Sequence, residues 1–521
     1  MKSARGRIVK AAGLLLALRV VEKTTGLLKQ IWIAAAFGTS AVMDGYVAAT
    51  SIIGLILSWV GLPVQQTLIP LFRHDLAQRG ERAAWANISV LFNTLLMVLA
   101  VIVVLGEVFA PELVGLLAPG FDEQTKSLAS SLVRITAISV VFVGMGKVLA
   151  QLSFSYEKFF RPGIVGSVNN LVVLALLFGV GANYGIHGLA VATVIGAACE
   201  FVLLLPILWQ KRKFYSYNVN LRNREVAEMG KLSVPLLLST GGFELSRITD
   251  RIFASLLPAG RLSALAFAHR PITILLEFLI QPLQQASFPH FTKLCARRDF
   301  RTLSPQLFRY LRVVFFITLP VAIGIMLTAG PIVQLVYQRG AFDETAVSLT
   351  SQALFFYAVG FPAYAMARIF RGVFFGMKDA WTPTKISLGC IGIKIFLAWI
   401  LVEPLAHRGI ALADSVSQII NVLILFYFLP EEIRGQEGWR TVTAFAQTIA
   451  ACLVIGAVVY FTKESIYGLF GPLIAIVSLI LLGGAVYAAI ALLLRMEASQ
   501  SVLKALTELG GKYLRGASKA A

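Results

Sequence analysis

Charged side chains recur where the surrounding sequence is apolar enough to span a bilayer. Arg19, Glu22, Lys23 and Lys29 fall in the first apolar segment, and Asp44 lies near the outer end of the second. A seventh segment holds Glu244, Arg247, Asp250 and Arg251, and an eighth holds His269, Arg270 and Glu277. Lys394 and Asp414 sit in the eleventh and twelfth. An ionised group at mid-bilayer costs about 2.5–3.5 kcal/mol on insertion scales, so each such residue needs a partner or a ligand. Two chemistries fit. One is a set of ion pairs joining helices; Arg19, Glu22 and Lys23, spaced i, i+3, i+4, share a face and can pair. The other is a cationic cavity for an anionic ligand. Charge balance favours the cavity, because Lys23, Lys29, Arg247, Arg251 and Arg270 outnumber Glu22, Glu244 and Asp250. Guanidinium forks match phosphate oxygens bidentately, and ammonium groups add point charge. His269 is either a hydrogen-bonding neighbour of Arg270 or a proton carrier. Asp414 either pairs with Lys394 or holds a coupling ion.

The elements that position these residues come from a repeat. Pro63 to Phe72 and Pro282 to Phe291 both read P-x-Q-Q-x-x-x-P-x-F, 219 residues apart. Phe121-Asp122-Glu123 and Phe342-Asp343-Glu344 match at an offset of 221, as do Met145 and Lys147 with Met366 and Arg368. Pro162 with Pro383, and Gly188-Leu-Ala-Val-Ala with Gly409-Ile-Ala-Leu-Ala, keep that offset. Both copies meet basic loops in the same order, so the repeat is parallel rather than inverted. The expected organisation is an N-terminal lobe over 1–222, a C-terminal lobe over 223–430, and a remainder over 431–521. The polar first and second helices are then equivalent to the polar seventh and eighth. The simplest arrangement sets these pairs face to face around a cleft.

Of 521 residues, 57% are hydrophobic and 14% charged, against about 25% charged in a soluble protein. Apolar stretches recur at bilayer length, which predicts an all-α polytopic membrane protein of about fourteen helices. The net charge of +19 is concentrated in alternate loops, the positive-inside pattern, and so predicts contact with anionic lipid headgroups rather than nucleic acid. The basic loops at 73–82, 158–161, 211–224, 293–301 and 371–385 place both termini in the cytoplasm. The N-terminal apolar run lacks a convincing cleavage site and is expected to remain as the first helix. Val502, Leu503, Leu506 and Leu509 recur beside Lys504 and Lys512, as in a short helix on the inner membrane surface or a disordered tail. Four scattered cysteines form no disulfide or metal framework, and the sequence contains no Walker A motif, H-E-x-x-H or nucleophile elbow. A transporter without a nucleotide site is driven by a gradient, the membrane potential or consumption of its product.

The chain resembles the MurJ (MviN) family of lipid II flippases, within the multidrug and oligosaccharidyl-lipid exporter superfamily. The resemblance rests on Gln338-Arg-Gly-Ala-Phe, Gly360-Phe-Pro-Ala, Arg371 to Lys385, Ala254-Ser-Leu-Leu, Ala268-His-Arg, and Phe159 through Pro162 to Asn169-Asn170. It covers roughly residues 10–500. It implies that Lys23 and Lys29 stand where the family carries cavity arginines, and that Arg270 is a cavity arginine. It also implies a cavity arginine in the second helix, where this chain has Leu57-Ser58-Trp59. Asp250 matches an acid proposed to bind sodium, and Lys394 lies near a second member of that site, where its ammonium could replace the metal. The two last helices would line a groove for a polyprenyl tail.

The resulting expectation is a flippase that moves a polyprenyl-diphosphate-linked saccharide, above all lipid II, to the outer leaflet of the bacterial cytoplasmic membrane. Lys23, Lys29, Arg247, Arg251 and Arg270 would bind substrate, with Arg19, Glu22, Asp44 and His269 in support. Asp250, Lys394 and Asp414 are the candidates for coupling to sodium, protons or the membrane potential. Membrane lipids and cell-wall synthesis enzymes are the expected partners. Competing readings are an exporter of capsule or O-antigen precursors, a cation-coupled drug exporter, and a scaffold for cell-wall enzymes.

Overall fold

The computed structural model describes residues 2–219, 245–435 and 437–500. Glu244 and the expected C-terminal surface helix beyond residue 500 lie outside them. Every regular element among the described residues is a helix. Backbone proximity divides the chain into two compact units: residues 1–263 with 339–343, and residues 264–338 with 344–521. This division is spatial, whereas the boundary at 222 separates copies of a sequence.

The first unit contains α1 (Lys2–Phe37), α2 (Ala41–Val108), α3 (Ala110–Leu117), α4 (Glu123–Ala137) and α5 (Ser139–Ser155). It continues with α6 (Phe160–Leu176), α7 (Ala182–Leu204), the short α8 (Pro206–Gln210) and α9, residues 245–255. Helix α10 (Arg261–Leu275) begins in this unit and continues into the second. There follow α11 (Gln281–Ala296), α12 (Phe300–Tyr337), α13 (Glu344–Val359), α14 (Phe361–Gly376), α15 (Trp381–Leu405) and α16 (His407–Tyr427). The chain ends with α17 (Glu431–Arg434), α18 (Gly438–Leu469) and α19 (Pro472–Leu493).

Eleven described helices are long and apolar enough to cross a membrane, and α13 with α14, bent by 45°, raises the number to twelve. Two segments expected from the sequence stand apart from that number. One is α1, which is interrupted by Arg19, Glu22, Lys23 and Lys29. The other is 228–256, of which only the part from residue 245 is described.

The basic segment 73–82, expected as a loop, is helical. Helix α2 runs through it and bends at Gly80, whose φ of 79° lies in the left-handed region that favours glycine. Polarity here is compatible with helix because the side chains find one another. Asn87 donates to Asp75 at 2.8 Å, Lys211 pairs with Glu81 at 2.6 Å, and the Tyr156 hydroxyl donates to Glu81 at 2.7 Å. Beneath this layer Leu68, Phe72 and Trp85 are buried in the apolar core of the first unit.

Two loop contacts obey the repeat. The Gly120 N–H donates to Ser255 Oγ at 3.2 Å, and a Cβ at Gly120 would lie 2.6 Å from Leu256 Cα. Ala341 N–H donates to the Ala35 carbonyl at 2.7 Å. Positions 120 and 341 are 221 apart, as are 35 and 256. Each copy's loop therefore docks on the first helix of the other copy. The second docking admits no side chain: a Cβ at Gly340 (φ 57°) would meet Ala35 O at 2.3 Å, and one at Gly38 (φ 58°) would meet Ala341 O at 2.3 Å. This explains locally why the segment reads Gln338-Arg-Gly-Ala-Phe, with Phe342 buried behind the turn.

In the second unit a single buried guanidinium fastens the last two long helices. Arg312, on α12, donates to Glu437 at 2.9 Å, Thr441 at 3.1 Å and Glu497 at 3.2 Å. Tyr487 on α19 donates to the Phe316 carbonyl at 2.7 Å.

Gly340→Ala is expected to destabilise the purified protein by about 2–3 kcal/mol, through left-handed strain and overpacking. Gly484→Ala, in a helix with open space around it, serves as the control and is expected to be neutral or slightly stabilising. Thermal unfolding in detergent checks both, and equal melting of Gly340→Ala and wild type would mean the docking does not form.

Candidate functional site

In the first unit Asp44 is buried, yet it forms no ion pair among the described residues. Its carboxylate accepts the backbone N–H groups of Gly260 at 2.6 Å and Ser263 at 2.7 Å. These belong to the opening turn of α10, whose first N–H groups have no partners within the helix. A carboxylate there also complements the helix dipole.

The expected pairing along α1 does not form between Arg19 and Glu22. Arg19 is exposed, and the Glu22 side chain packs over Gly166 of α6 instead, where a Cβ would meet its carboxyl carbon at 2.8 Å. Glu22 and Lys29 lie in the electrostatic field of Glu200 on α7, together with Lys147 on α5. Lys23 and Lys29 are half-buried on α1. On α9, Arg251 donates to Ser51 Oγ of α2 and to the Arg247 carbonyl at 2.6 Å. Arg247 is exposed and Asp250 half-buried.

Lys147 is a residue the sequence reading did not assign to the site. Its ammonium donates to the Leu57 carbonyl at 3.1 Å. A cation is therefore present at the Leu57-Ser58-Trp59 turn, delivered from α5 rather than carried by α2. The signal was available: Lys147 and Arg368 are repeat equivalents, both basic.

In the second unit Lys394 and Asp414 meet at 2.6 Å, with side chains 1% and 7% exposed. The Tyr364 hydroxyl donates to the other carboxylate oxygen. Helices α15 and α16 approach closely enough for this because Gly409 lies against Leu401, where a Cβ would sit 2.2 Å from the carbonyl oxygen. His269 shares a hydrogen bond with Thr273 at 3.1 Å and meets the Tyr357 ring edge-on, the centroids 5.1 Å apart. It also lies in the field of Asp414. Both Asp414 oxygens are thus engaged, one by a fixed ammonium. These residues fit an internal ion pair, and a metal ion at Asp414 would have to displace Lys394.

Arg270 differs from these. It is half-buried on α10, and its guanidinium donates to no group among the described residues, its Nε being shut off from solvent. Tyr337 lies in its field. On α14, Arg368 and Arg371 are also half-buried.

Up to a dozen described helices long and apolar enough to span a membrane, with cations among them, define a polytopic membrane protein. The sequence places it further: the family described as lipid II flippase MurJ matches residues 33–481, and the chain belongs to that family, one of transporters rather than enzymes. A lipid II flippase MurJ from Burkholderia cenocepacia is 26% identical over 453 residues, covering 85% of this chain and 87% of that protein. A probable lipid II flippase MurJ from Thermotoga maritima is 25% identical over 484 residues, covering 93% and 96%. The fold is similar to that of a lipid II flippase MurJ in an inward closed conformation, with a TM-score of 0.79, 21% identity, and 92% and 99% of the two chains covered. An inward-facing multidrug resistance MATE family transporter of the MOP superfamily matches with a TM-score of 0.65 at 16% identity, over 83% and 98%.

Breaking a buried ion pair on one side costs about 3–5 kcal/mol, because a lone charge is left behind. Lys394→Met or Asp414→Asn alone is expected to lower stability by that order, and the double variant by less than either. Melting curves and transport assays with and without sodium complete the cycle, and additive losses would rule the pair out.

Proposed function

We propose that the protein flips a polyprenyl-diphosphate-linked saccharide, lipid II in the first instance, from the inner to the outer leaflet of the bacterial cytoplasmic membrane. The observation that carries this reading is Arg270, a guanidinium within a spanning helix that no described protein group answers. A guanidinium left unanswered away from bulk water invites an anion, and a diphosphate presents paired oxygens to its fork. Family membership supplies the class of that anion. Both termini are assigned to the cytoplasm by loop charge. Alternating access would carry the headgroup while the tail stays in lipid.

In this reading Lys23, Lys29, Arg247 and Arg251 line the headgroup's path with Arg270. Arg19, Glu22 and His269 set the local charge, and Asp44 holds the opening turn of α10. Lys394 takes the place of a coupling cation at Asp414, which leaves the membrane potential or a proton gradient to drive transport, with Asp250 as the remaining candidate for sodium. Cell-wall synthesis enzymes would consume the product. The position of Lys147 beside Leu57 keeps a related diphosphate-linked saccharide as the second reading, because the cation there approaches from a different helix.

Arg270→Ala is expected to abolish flipping in reconstituted vesicles and complementation of a strain depleted of its lipid II flippase, with insertion and expression unchanged. Full complementation at normal expression would sink the cationic-cavity mechanism. Lys23→Arg and Lys29→Arg are expected to keep most activity, and Lys→Gln at either position to lose at least about tenfold, equivalent to about 1.4 kcal/mol. Equal activity of the Gln and Arg variants would reduce these lysines to determinants of topology.

A further inference from the structure

Beyond α7, on the side that loop charge assigns to the cytoplasm, the first unit holds a cavity that the headgroup path above does not use. Its volume is about 450 Å³, and it is lined by Pro206, Trp209, Gln210, Arg212 and Lys213. The spanning segment that ends there, Tyr184–Gln210, has 27 residues, about 40 Å at 1.5 Å per residue. That length matches a hydrocarbon core together with its headgroup layers, roughly 40–45 Å. Tyr184 and Trp209 stand at the two ends, 69% and 77% exposed. Aromatic rings with one polar edge belong at the two membrane interfaces. Trp209 therefore marks headgroup depth, and the cavity lies beside it.

The charged wall of this cavity is held in place. A 3-10 turn, Arg212–Phe214, carries the two cations, and the residues around it are tied to α2. Lys211 pairs with Glu81 at 2.6 Å. The Tyr215 hydroxyl donates to Asn93 Oδ1. The Asn93 amide donates to the carbonyls of Ser216 and Asn218, both at 3.0 Å, and the Ser216 N–H donates to Ser89 Oγ at 3.2 Å. Across the rim Lys158 donates to Gln210 Oε1, which brings in the basic loop after α5. Arg212 and Lys213 are exposed, and no carboxylate among the described residues lines the cavity. An apolar track leads to it. Val191, Ile195 and Val202 are exposed at spacings of four and seven residues, so they form one stripe along α7. Trp209 stands seven residues further on.

We infer that this cavity binds the headgroup of an anionic phospholipid of the inner leaflet. Its phosphodiester would sit on Arg212 and Lys213, and its glycerol backbone against Trp209. An arginine fork takes two phosphate oxygens, and a lysine adds point charge. The cytoplasmic leaflet supplies anionic lipids at this depth. The apolar stripe on α7 selects a lipid over a soluble anion, because only a lipid has acyl chains to lay along it. The site does not depend on what the transporter carries.

The test titrates phosphatidylglycerol into phosphatidylcholine nanodiscs holding the full-length protein and counts bound lipid by native mass spectrometry. The double variant Arg212→Gln/Lys213→Gln is expected to weaken phosphatidylglycerol binding at least about tenfold. Arg297→Gln/Arg298→Gln removes the same charge from the basic loop after α11. It is expected to cost about twofold at most, because diffuse surface charge is screened. Trp209→Ala keeps both cations and is expected to weaken binding about threefold; it also covers the case in which the double variant does not fold. Wild-type binding by both the Arg212/Lys213 variant and Trp209→Ala would overturn the site. Equal losses in the two charge-removing variants would reduce it to diffuse surface charge and overturn it as well. Displacement of the lipid by glycerol phosphate at equal concentration would overturn the choice of a lipid over a soluble anion.

Discussion

A charge carried into a bilayer must be answered, and the ways in which this protein answers its charges organise the rest of the molecule. Lys394 and Asp414 answer one another, with Tyr364 completing the carboxylate's shell. Arg312 is answered by Glu437 and Glu497 and so draws α12, α18 and α19 together. Asp44 is answered by backbone N–H groups, which turns a costly carboxylate into the cap of a helix. Against that background the guanidinium groups of Arg270 and Arg368 stand out, since no described side chain or carbonyl accepts from them.

The sequence disclosed the class of fold because bilayer length and loop charge are one-dimensional properties. The repeat was legible for the same reason, and its offset led directly to the reciprocal loops. Partnership was harder to read. The Lys394–Asp414 contact could be anticipated because a short loop forces α15 and α16 to be neighbours. The partners of Asp44 could not, because they are backbone groups more than two hundred residues away and leave no side-chain signature. Spacing along α1 suggested that Glu22 would pair with its own helix. The small residue Gly166 on α6 offers it a different surface, and packing prevailed over helical periodicity.

The kink at Gly80 shows how a polar stretch can mislead. Arg73, Arg79 and Arg82 read as a loop because their charges interrupt the apolar run. The structure keeps them helical and concentrates the change of direction in one residue. Lys147 was missed for a related reason. A lone lysine in an apolar helix carries no partner in its own neighbourhood of sequence, and its role depends on a carbonyl of α2. Its equivalence to Arg368 was the one sign that the position matters.

The reciprocal docking of residue 120 on 255–256 and of residue 341 on residue 35 bears on ancestry. Two identical half-length chains meeting about a two-fold axis would make the same contact twice, once in each direction. The present chain makes it twice, in each direction, within a single polypeptide. Duplication and fusion of a gene for a self-associating half-transporter would leave this trace. Once fused, the copies were free to diverge: one docking retains Gly120 against a serine hydroxyl, while the other adopted the Gly340-Ala341 turn. A polypeptide cut at the repeat boundary and co-expressed as two fragments should therefore reassemble through these same two loops.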